Sequence, residues 1–181
     1  MGAREEKSKM IYVLGIGSNL KSKYGSKIQT LKYVIRELEK CNIRILKKSY
    51  IYSSPPKYFK KAGDTFVNAA LMVSSEQSPE KLIYSLKKIE KSTGRYIYKK
   101  NSSRTCDLDI LLSKPHGKHI IESHKYNLII PHPKICDRKF VLMPLIDICP
   151  NWEHFDYKQN ILSLLRSSKI EDNIYRLKET L

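Results

Sequence analysis

What limits the fold most is the order in which apolar periodicity changes along the chain. Residues 11–16 form a compact apolar run that ends in Gly15-Ile16-Gly17-Ser18-Asn19, as a first strand does on entering a turn. Ile28, Leu31, Val34, Ile35 and Leu38 then recur at helical spacing with Lys27, Lys32, Arg36, Glu37 and Lys40 outside, predicting an amphipathic helix over about 26–40. Residues 43–52 alternate loosely and carry β-branched and aromatic side chains, predicting a second strand that Ser53-Ser54-Pro55-Pro56 stops. Residues 57–65 are basic, contain Gly63 and have no period, so a mobile loop is expected there.

A third strand is predicted over 66–74, followed by a helix that Ser78 caps, Pro79 starts and Gly94 ends, with Leu82, Ile83, Leu86 and Ile89 inward. Residues 95–103 are polar, and a fourth strand follows over 107–112. The order βαββαβ predicts an α+β, ferredoxin-like core: an antiparallel or mixed sheet with both helices on one face. C-terminal additions are expected as a short hairpin around 119–130, a turn at Pro131-His132-Pro133, and helical segments near 137–148, 158–167 and 170–179. A chain of 181 residues supports one real core. No repeat or linker divides it, so residues 10–181 are expected to form one domain. Met1 to Lys9 read as a disordered leader or an appended extension whose removal leaves fold and activity intact.

Within the fourth strand, Arg104-Thr105-Cys106-Asp107-Leu108-Asp109-Ile110 sets two carboxylates at i and i+2 in an apolar run. In a strand both point to the same face, about 6–7 Å apart. Cys106, Leu108, Ile110, Leu111 and Leu112 suggest that the strand is central, and a buried carboxylate pair needs a cation. A hard divalent ion such as Mg²⁺, arriving with nucleotide phosphates, supplies one. The spacing equally suits an edge strand whose aspartates face water.

Composition narrows the partners. With 34 Lys and Arg against 18 Asp and Glu the net charge is +16, a field that attracts polyanions, either a nucleic acid or a nucleotide triphosphate. The surplus is lysine spread along the chain, which equally serves as solvated faces. No apolar run approaches the length of a membrane span, and the first ten residues lack the apolar stretch of a secretory signal, so no membrane partner is expected. Cys41, Cys106, Cys136 and Cys149 are scattered without a C-x-x-C pair, the pattern of reduced thiols in a cytoplasmic protein. His116, His119 and His124 crowd a Gly/Pro/Lys stretch that reads as a solvated loop before it reads as a metal site.

Several separate motifs, in order, resemble the hydroxymethyldihydropterin pyrophosphokinases of folate biosynthesis. They are Gly17-Ser18-Asn19, Tyr52-Ser53-Ser54-Pro55-Pro56, Phe66-Val67-Asn68-Ala69-Ala70, Glu90 with Gly94-Arg95, the Arg104–Ile110 run, and Pro131-His132-Pro133 followed by Arg138 and Phe140. The resemblance implies transfer of pyrophosphate from ATP to 6-hydroxymethyl-7,8-dihydropterin, giving AMP. It implies two Mg²⁺ ions on Asp107 and Asp109, and Arg95 and Arg104 as catalytic groups on the phosphates. Glu90, Arg95, Arg104, Ile110, His132 and Arg138 are implied as nucleotide contacts. Phe66 and Phe140 would sandwich the pterin, Asn68 would read its polar edge, and Ser54 and Pro55 would complete that reading. Coupling to the next folate-pathway enzyme is a further implication.

The chain departs from the family pattern over 96–103, where Ile97 replaces a frequent arginine and a Trp-Gly-Pro is missing. Looser loop closure is expected there, with Lys99 or Lys100 standing in for the missing cation. Trp152 is expected to pack on the C-terminal helices. Two other classes fit parts of the pattern: a basic nucleic-acid-binding module on the same fold, and a pterin or nucleotide binder without activity. Nucleic acid is the weaker partner, because the aromatic signature of a base-stacking sheet is missing and two aspartates would repel phosphate.

Overall fold

The computed structural model describes residues 9–57, 64–95, 102–114, 121–123, 126–154, 157–168 and 172–181. Its centre is strand β1 (Met10–Ser18), paired antiparallel with β4 (Phe66–Ser75) on one side and β5 (Asp107–Lys114) on the other. Beyond β4 lie β2 (Arg44–Lys48) and β3 (Tyr52–Ser54), which pair with its two halves in turn. The predicted second strand is therefore one edge broken in two, with an irregular register between Ile45 and Lys47.

Helix α1 (Lys27–Lys40) begins at Ser26, whose side chain accepts from the Gln29 amide while Gln29 reaches back, a capping box. Helix α2 (Pro79–Ser92) begins at the Ser78 cap with proline in its first turn. Gly94 follows at φ +96°, the left-handed conformation that ends a helix at least cost in glycine. Both helices lay their predicted stripes on one face of the sheet: Leu31, Val34, Ile35, Leu38, Leu82, Ile83, Leu86 and Ile89 join Tyr12, Leu14, Ile16, Leu71 and Leu108 in one core. The order βαββαβ and the ferredoxin-like expectation hold.

The opposite face is covered by α3 (Lys139–Ile148) and α4 (Ile161–Ser167), with a two-stranded ladder of β6 (Ile121–Ser123) and β7 (Leu128–Ile130) alongside β5 and a smaller one of β8 (Glu153–His154) and β9 (Gln159–Asn160). Leu142, Leu145, Ile148, Ile161 and Leu164 form a second core with Val13, Met72 and Leu112, and Trp152 packs into it as expected.

Two expectations are corrected. The helix predicted near 170–179 is absent from its described part: β10 (Tyr175–Arg176) pairs antiparallel with β3, and the Leu177 amide donates to the Ile51 carbonyl at 2.8 Å. The open edge of β3 offers these residues backbone partners that an isolated helix of this length would lack. Strand β5, expected to be central, ends the sheet. Its apolar run reflects cover on both faces, and its outer edge is closed by side chains of α2. None of the four cysteines forms a disulfide among the described residues. No helix among the described residues is long and apolar enough to cross a membrane. Residues 1–8 of the expected leader, 58–63 of the expected 57–65 loop, 96–101 of the segment that departs from the family pattern, with Lys99 and Lys100, and His116, His119 and His124 lie outside the described residues.

Candidate active site

The face of the sheet under α3 is bare at its middle strand. Gly17 stands between Asn68 of β4 and Asp107 of β5, and Gly15 between Ala70 and Asp109. With strands about 4.8 Å apart, Asn68 and Asp107 face one another across roughly 10 Å of open floor. A Cβ at Gly17 would come 3.2 Å from Asn68 Oδ1, so the glycine leaves room for that amide. Over this floor lies a cleft of about 860 Å³, counted to its open mouth and walled by Ser54, Pro55, Phe66, Arg138 and Phe140.

At the acidic end both oxygens of Asp107 are occupied. Arg95 Nη1 donates to Oδ1 at 2.6 Å and Arg104 Nη1 to Oδ2 at 2.9 Å. Burial alone would raise this carboxyl, but Arg104, Arg95 and Lys87 outweigh it and hold it below the ordinary range. Asp109 has no hydrogen bond or ion pair among the described residues; burial first and the Asp107 charge second push its carboxyl up, against Lys87, His132 and Arg138. No cluster of three or more metal-ligating side chains occurs among the described residues. Two carboxylates at i, i+2 suit Mg²⁺, which binds through one or two carboxylates and takes its other ligands from water and phosphate.

The supports of this end come from three elements. Glu90, expected as a nucleotide contact, is fully buried beneath the strand. Its Oε1 accepts from Arg95 at 2.7 Å, Lys87 at 2.9 Å and the Leu108 amide at 2.7 Å, while Lys87 also donates to the Leu108 carbonyl. Lys87 and Glu90 thus satisfy the outward backbone groups of β5 where a further strand would otherwise pair. Lys87 was not among the expected site residues, although its i, i+3 spacing from Glu90 on a helix was a readable signal. Asn19, 1% exposed, accepts from the Arg104 amide at 2.7 Å, and the Asn19 and Leu20 amides donate to the Arg104 carbonyl. The Gly17-Ser18-Asn19 motif therefore clamps the backbone of Arg104.

A second cleft lies between Asp109, Lys87, Ile110, Leu128, His132 and Arg138. Asp109 and Arg138 line both clefts, so the carboxylate faces the junction of two ligand spaces. The His132 amide donates to the Leu111 carbonyl at 2.8 Å, and His132 Nδ1 accepts from the Lys134 amide at 3.1 Å. Burial lowers its pKa against the pull of Asp109, which leaves a neutral ring with its proton on Nε2.

At the other end, Asn68 is buried and its Nδ2 donates to Ser54 Oγ at 2.9 Å, fixing the amide so that Oδ1 remains to accept. Phe66 opens β4 and Phe140 stands in the first turn of α3, and both line the cleft. The wall is braced by Asp147 of α3, which accepts from the Tyr50 amide at 3.0 Å and from the Tyr52 hydroxyl at 3.0 Å. Burial and that carboxylate push the Tyr52 phenol up to about 12. This brace was not foreseen, because nothing in the spacing of Tyr52 and Asp147 brings them together. Thirteen residues expected at the site were Arg95, Arg104, Asp107, Asp109, Ser54, Pro55, Phe66, Asn68, Phe140, Glu90, Ile110, His132 and Arg138; eleven line a cleft, and Arg95 and Glu90 do not but ion-pair with residues that do, Arg95 with Asp107 and Glu90 with Lys87.

Residues 13–150 match the model of the 7,8-dihydro-6-hydroxymethylpterin-pyrophosphokinase (HPPK) family. The chain is 34% identical over 146 residues to the 2-amino-4-hydroxy-6-hydroxymethyldihydropteridine pyrophosphokinase of Aquifex aeolicus, covering 81% of this chain and 84% of that one. It is 38% identical over 141 residues to the folic acid synthesis protein fol1 of Pneumocystis carinii, covering 78% of this chain but only 18% of that longer protein. The Plasmodium falciparum HPPK-DHPS crystal structure shares the fold, with a TM-score of 0.69 at 16% identity over 90% of this chain and 46% of that one.

Proposed function

The chain belongs to the 7,8-dihydro-6-hydroxymethylpterin-pyrophosphokinase family, and we propose that it transfers pyrophosphate from ATP to the hydroxymethyl group of 6-hydroxymethyl-7,8-dihydropterin in folate biosynthesis. The observation that carries this reading is the row Asn68–Gly17–Asp107. It sets a fixed amide at one end of a bare floor and a carboxylate pair at the other, and Phe66 and Phe140 line the cleft above it. A flat heterocycle read by Asn68 and held between Phe66 and Phe140 extends its side chain toward Asp107 and Asp109.

In this reading the pterin oxygen bonds to the β-phosphorus of ATP as the bond from that phosphorus to the α–β bridging oxygen breaks. The electron pair stays on AMP and the hydroxyl proton leaves to solvent. Two Mg²⁺ ions, held by Asp107 and Asp109, would supply neutralisation of phosphate charge. Arg95 and Arg104 are poised at Asp107 and would pass to the phosphates, offering paired N–H donors to the transferring group. Buried Glu90 keeps Arg95 within reach while Asn19 keeps the Arg104 backbone in place. His132, donating from Nε2, and Arg138 would contact the nucleotide in the second cleft, with Ile110 packing beside it.

Both cores share one sheet, which supports reading residues 10–181 as one pyrophosphokinase domain. Four cysteines without a disulfide suit the cytoplasm. Relatives named folate synthesis bifunctional protein support a coupling to the next folate-pathway enzyme. Incubation with Mg²⁺, ATP and the pterin should release AMP in step with pterin diphosphate, and Asp107→Ala or Asp109→Ala should abolish it with the fold retained. Release of ADP, or of no nucleotide product by the wild type, would overturn the assignment.

A further inference from the structure

We propose that Lys57 is a positioning residue that ties the two walls of the heterocycle cleft together, and that the C-terminal segment takes part in the site by holding it. Lys57 follows Pro55 and Pro56 at the exit of β3. Its Nζ donates to the Asp137 carbonyl at 3.1 Å and to Asp172 Oδ2 at 3.2 Å. Asp137 immediately precedes Arg138 and the first turn of α3, which carries Phe140. One ammonium therefore joins the Ser54–Pro55 wall to the Phe140 wall, and Lys57 itself lines the cleft.

The third partner comes from elsewhere in the chain. Asp172 leads into β10, which lies on Tyr52 and Ser53 of β3, and the Arg176 guanidinium stacks 3.2 Å from the centre of the Tyr50 ring. Leu177 and Leu181 pack against the main core, so this segment is anchored at both its backbone and its side chains. Asp172 lies beyond residue 150, where the family match ends, so the tie is a feature of this chain that the family pattern does not describe. Lys57 and Asp172 are each 23% exposed, a geometry in which a charge-assisted bond is only partly screened.

The inference rests on the pterin reading of the cleft, and its effect is specific. A tie across the walls acts through the width of the slot for the heterocycle. Lys57→Met keeps the aliphatic stem and removes the ammonium. It should raise the KM for the pterin and weaken pterin binding measured by titration without nucleotide by about 5- to 30-fold, the range of one or two lost charge-assisted bonds. Its kcat and its KM for ATP should stay within about twofold of wild type. Lys57→Arg should restore most of the loss, Asp172→Asn should reproduce part of it, and the double variant Lys57→Met with Asp172→Asn should be no worse than Lys57→Met alone.

Pterin binding by Lys57→Met within twofold of wild type overturns the tie. An equal rise in the KM for ATP also overturns it, since Lys57 would then act on the phosphates. Should Lys57→Met fail to fold, Asp172→Asn carries the same comparison. A wild type that forms no AMP overturns the assigned reaction instead, whereas an active wild type with an unmoved Asp172→Asn and Lys57→Met overturns the tie alone.

Discussion

Asp107 and Asp109 are neighbours on one face of one strand, yet neutralising them should change stability in opposite directions. Their carboxylates lie about 6.5 Å apart by the two-residue strand rise. At an effective dielectric of about 20 that separation gives a repulsion of roughly 2.5 kcal/mol. Asp107 is compensated by two ion pairs at 2.6 and 2.9 Å, whereas Asp109 has no hydrogen bond or ion pair among the described residues. Lys87 and Arg138 offset part of the repulsion at a distance, so Asp109→Asn should stabilise the nucleotide-free protein by about 1 kcal/mol at pH 7. Asp107→Asn instead leaves Arg95 and Arg104, only 10% and 17% exposed, short of their partner, and should cost about 2–3 kcal/mol.

The pH dependence follows from the two shifts. The folded pKa of Asp109 is raised, so its contribution is fully present below its unfolded pKa of about 3.8 and is lost as pH rises through the folded value. The gain from Asp109→Asn must therefore fade on acidification. The folded pKa of Asp107 is lowered, so its contribution is present above the unfolded value and disappears as pH falls through the folded one. Urea unfolding in EDTA at pH 7 and again near pH 4 measures both. Adding Mg²⁺ and a non-hydrolysable nucleotide should then invert the ranking, because only the wild type gains the full binding term. A nucleotide-free Asp109→Asn protein less stable than wild type by 1 kcal/mol or more would refute the claim that this carboxylate waits unpaired.

Three further outcomes follow from the same geometry. Glu90→Ala removes the common acceptor of Arg95, Lys87 and the Leu108 amide and should cost about 3–4 kcal/mol in chemical denaturation, with Glu90→Gln losing about half as much because its amide oxygen still accepts from Leu108. Gly17→Ala places a methyl 3.2 Å from Asn68 Oδ1; calorimetric titration should show pterin binding weakened about tenfold, with the melting temperature moved by only a few degrees. Tyr52→Phe strips a hydroxyl donor from Asp147 and should cost about 1–2 kcal/mol by urea unfolding, and the absorbance change of Tyr52 ionisation should occur only near pH 12 in the wild type.

The parts of this molecule that could be read from the chain are those where one face of one element decides the residue type. Helices α1 and α2 wear their apolar stripes in the sequence because only one side of each meets the sheet, and Ser26, Ser78 and Gly94 mark their ends by local chemistry. The carboxylate pair was legible for the same reason, since alternation alone places Asp107 and Asp109 on one face. What escaped depends on which edges remain open after the sheet assembles. The spacing of Ile174, Leu177 and Leu181 imitates a helical face, yet the unpaired edge of β3 draws Tyr175 and Arg176 into a strand. The apolar run of β5 suggests a central strand, yet the strand sits at an edge that Lys87 and Glu90 seal with side chains. The same seal explains why Glu90 is buried rather than in a cleft: its Oε1 collects the Leu108 amide, Arg95 and Lys87 beneath the strand, and its Oε2 is enclosed there without a hydrogen-bond partner among the described residues. A residue's place in a motif thus locates it near the chemistry, but only the three-dimensional accounting of backbone donors and acceptors separates the groups that meet the substrate from those that hold them there.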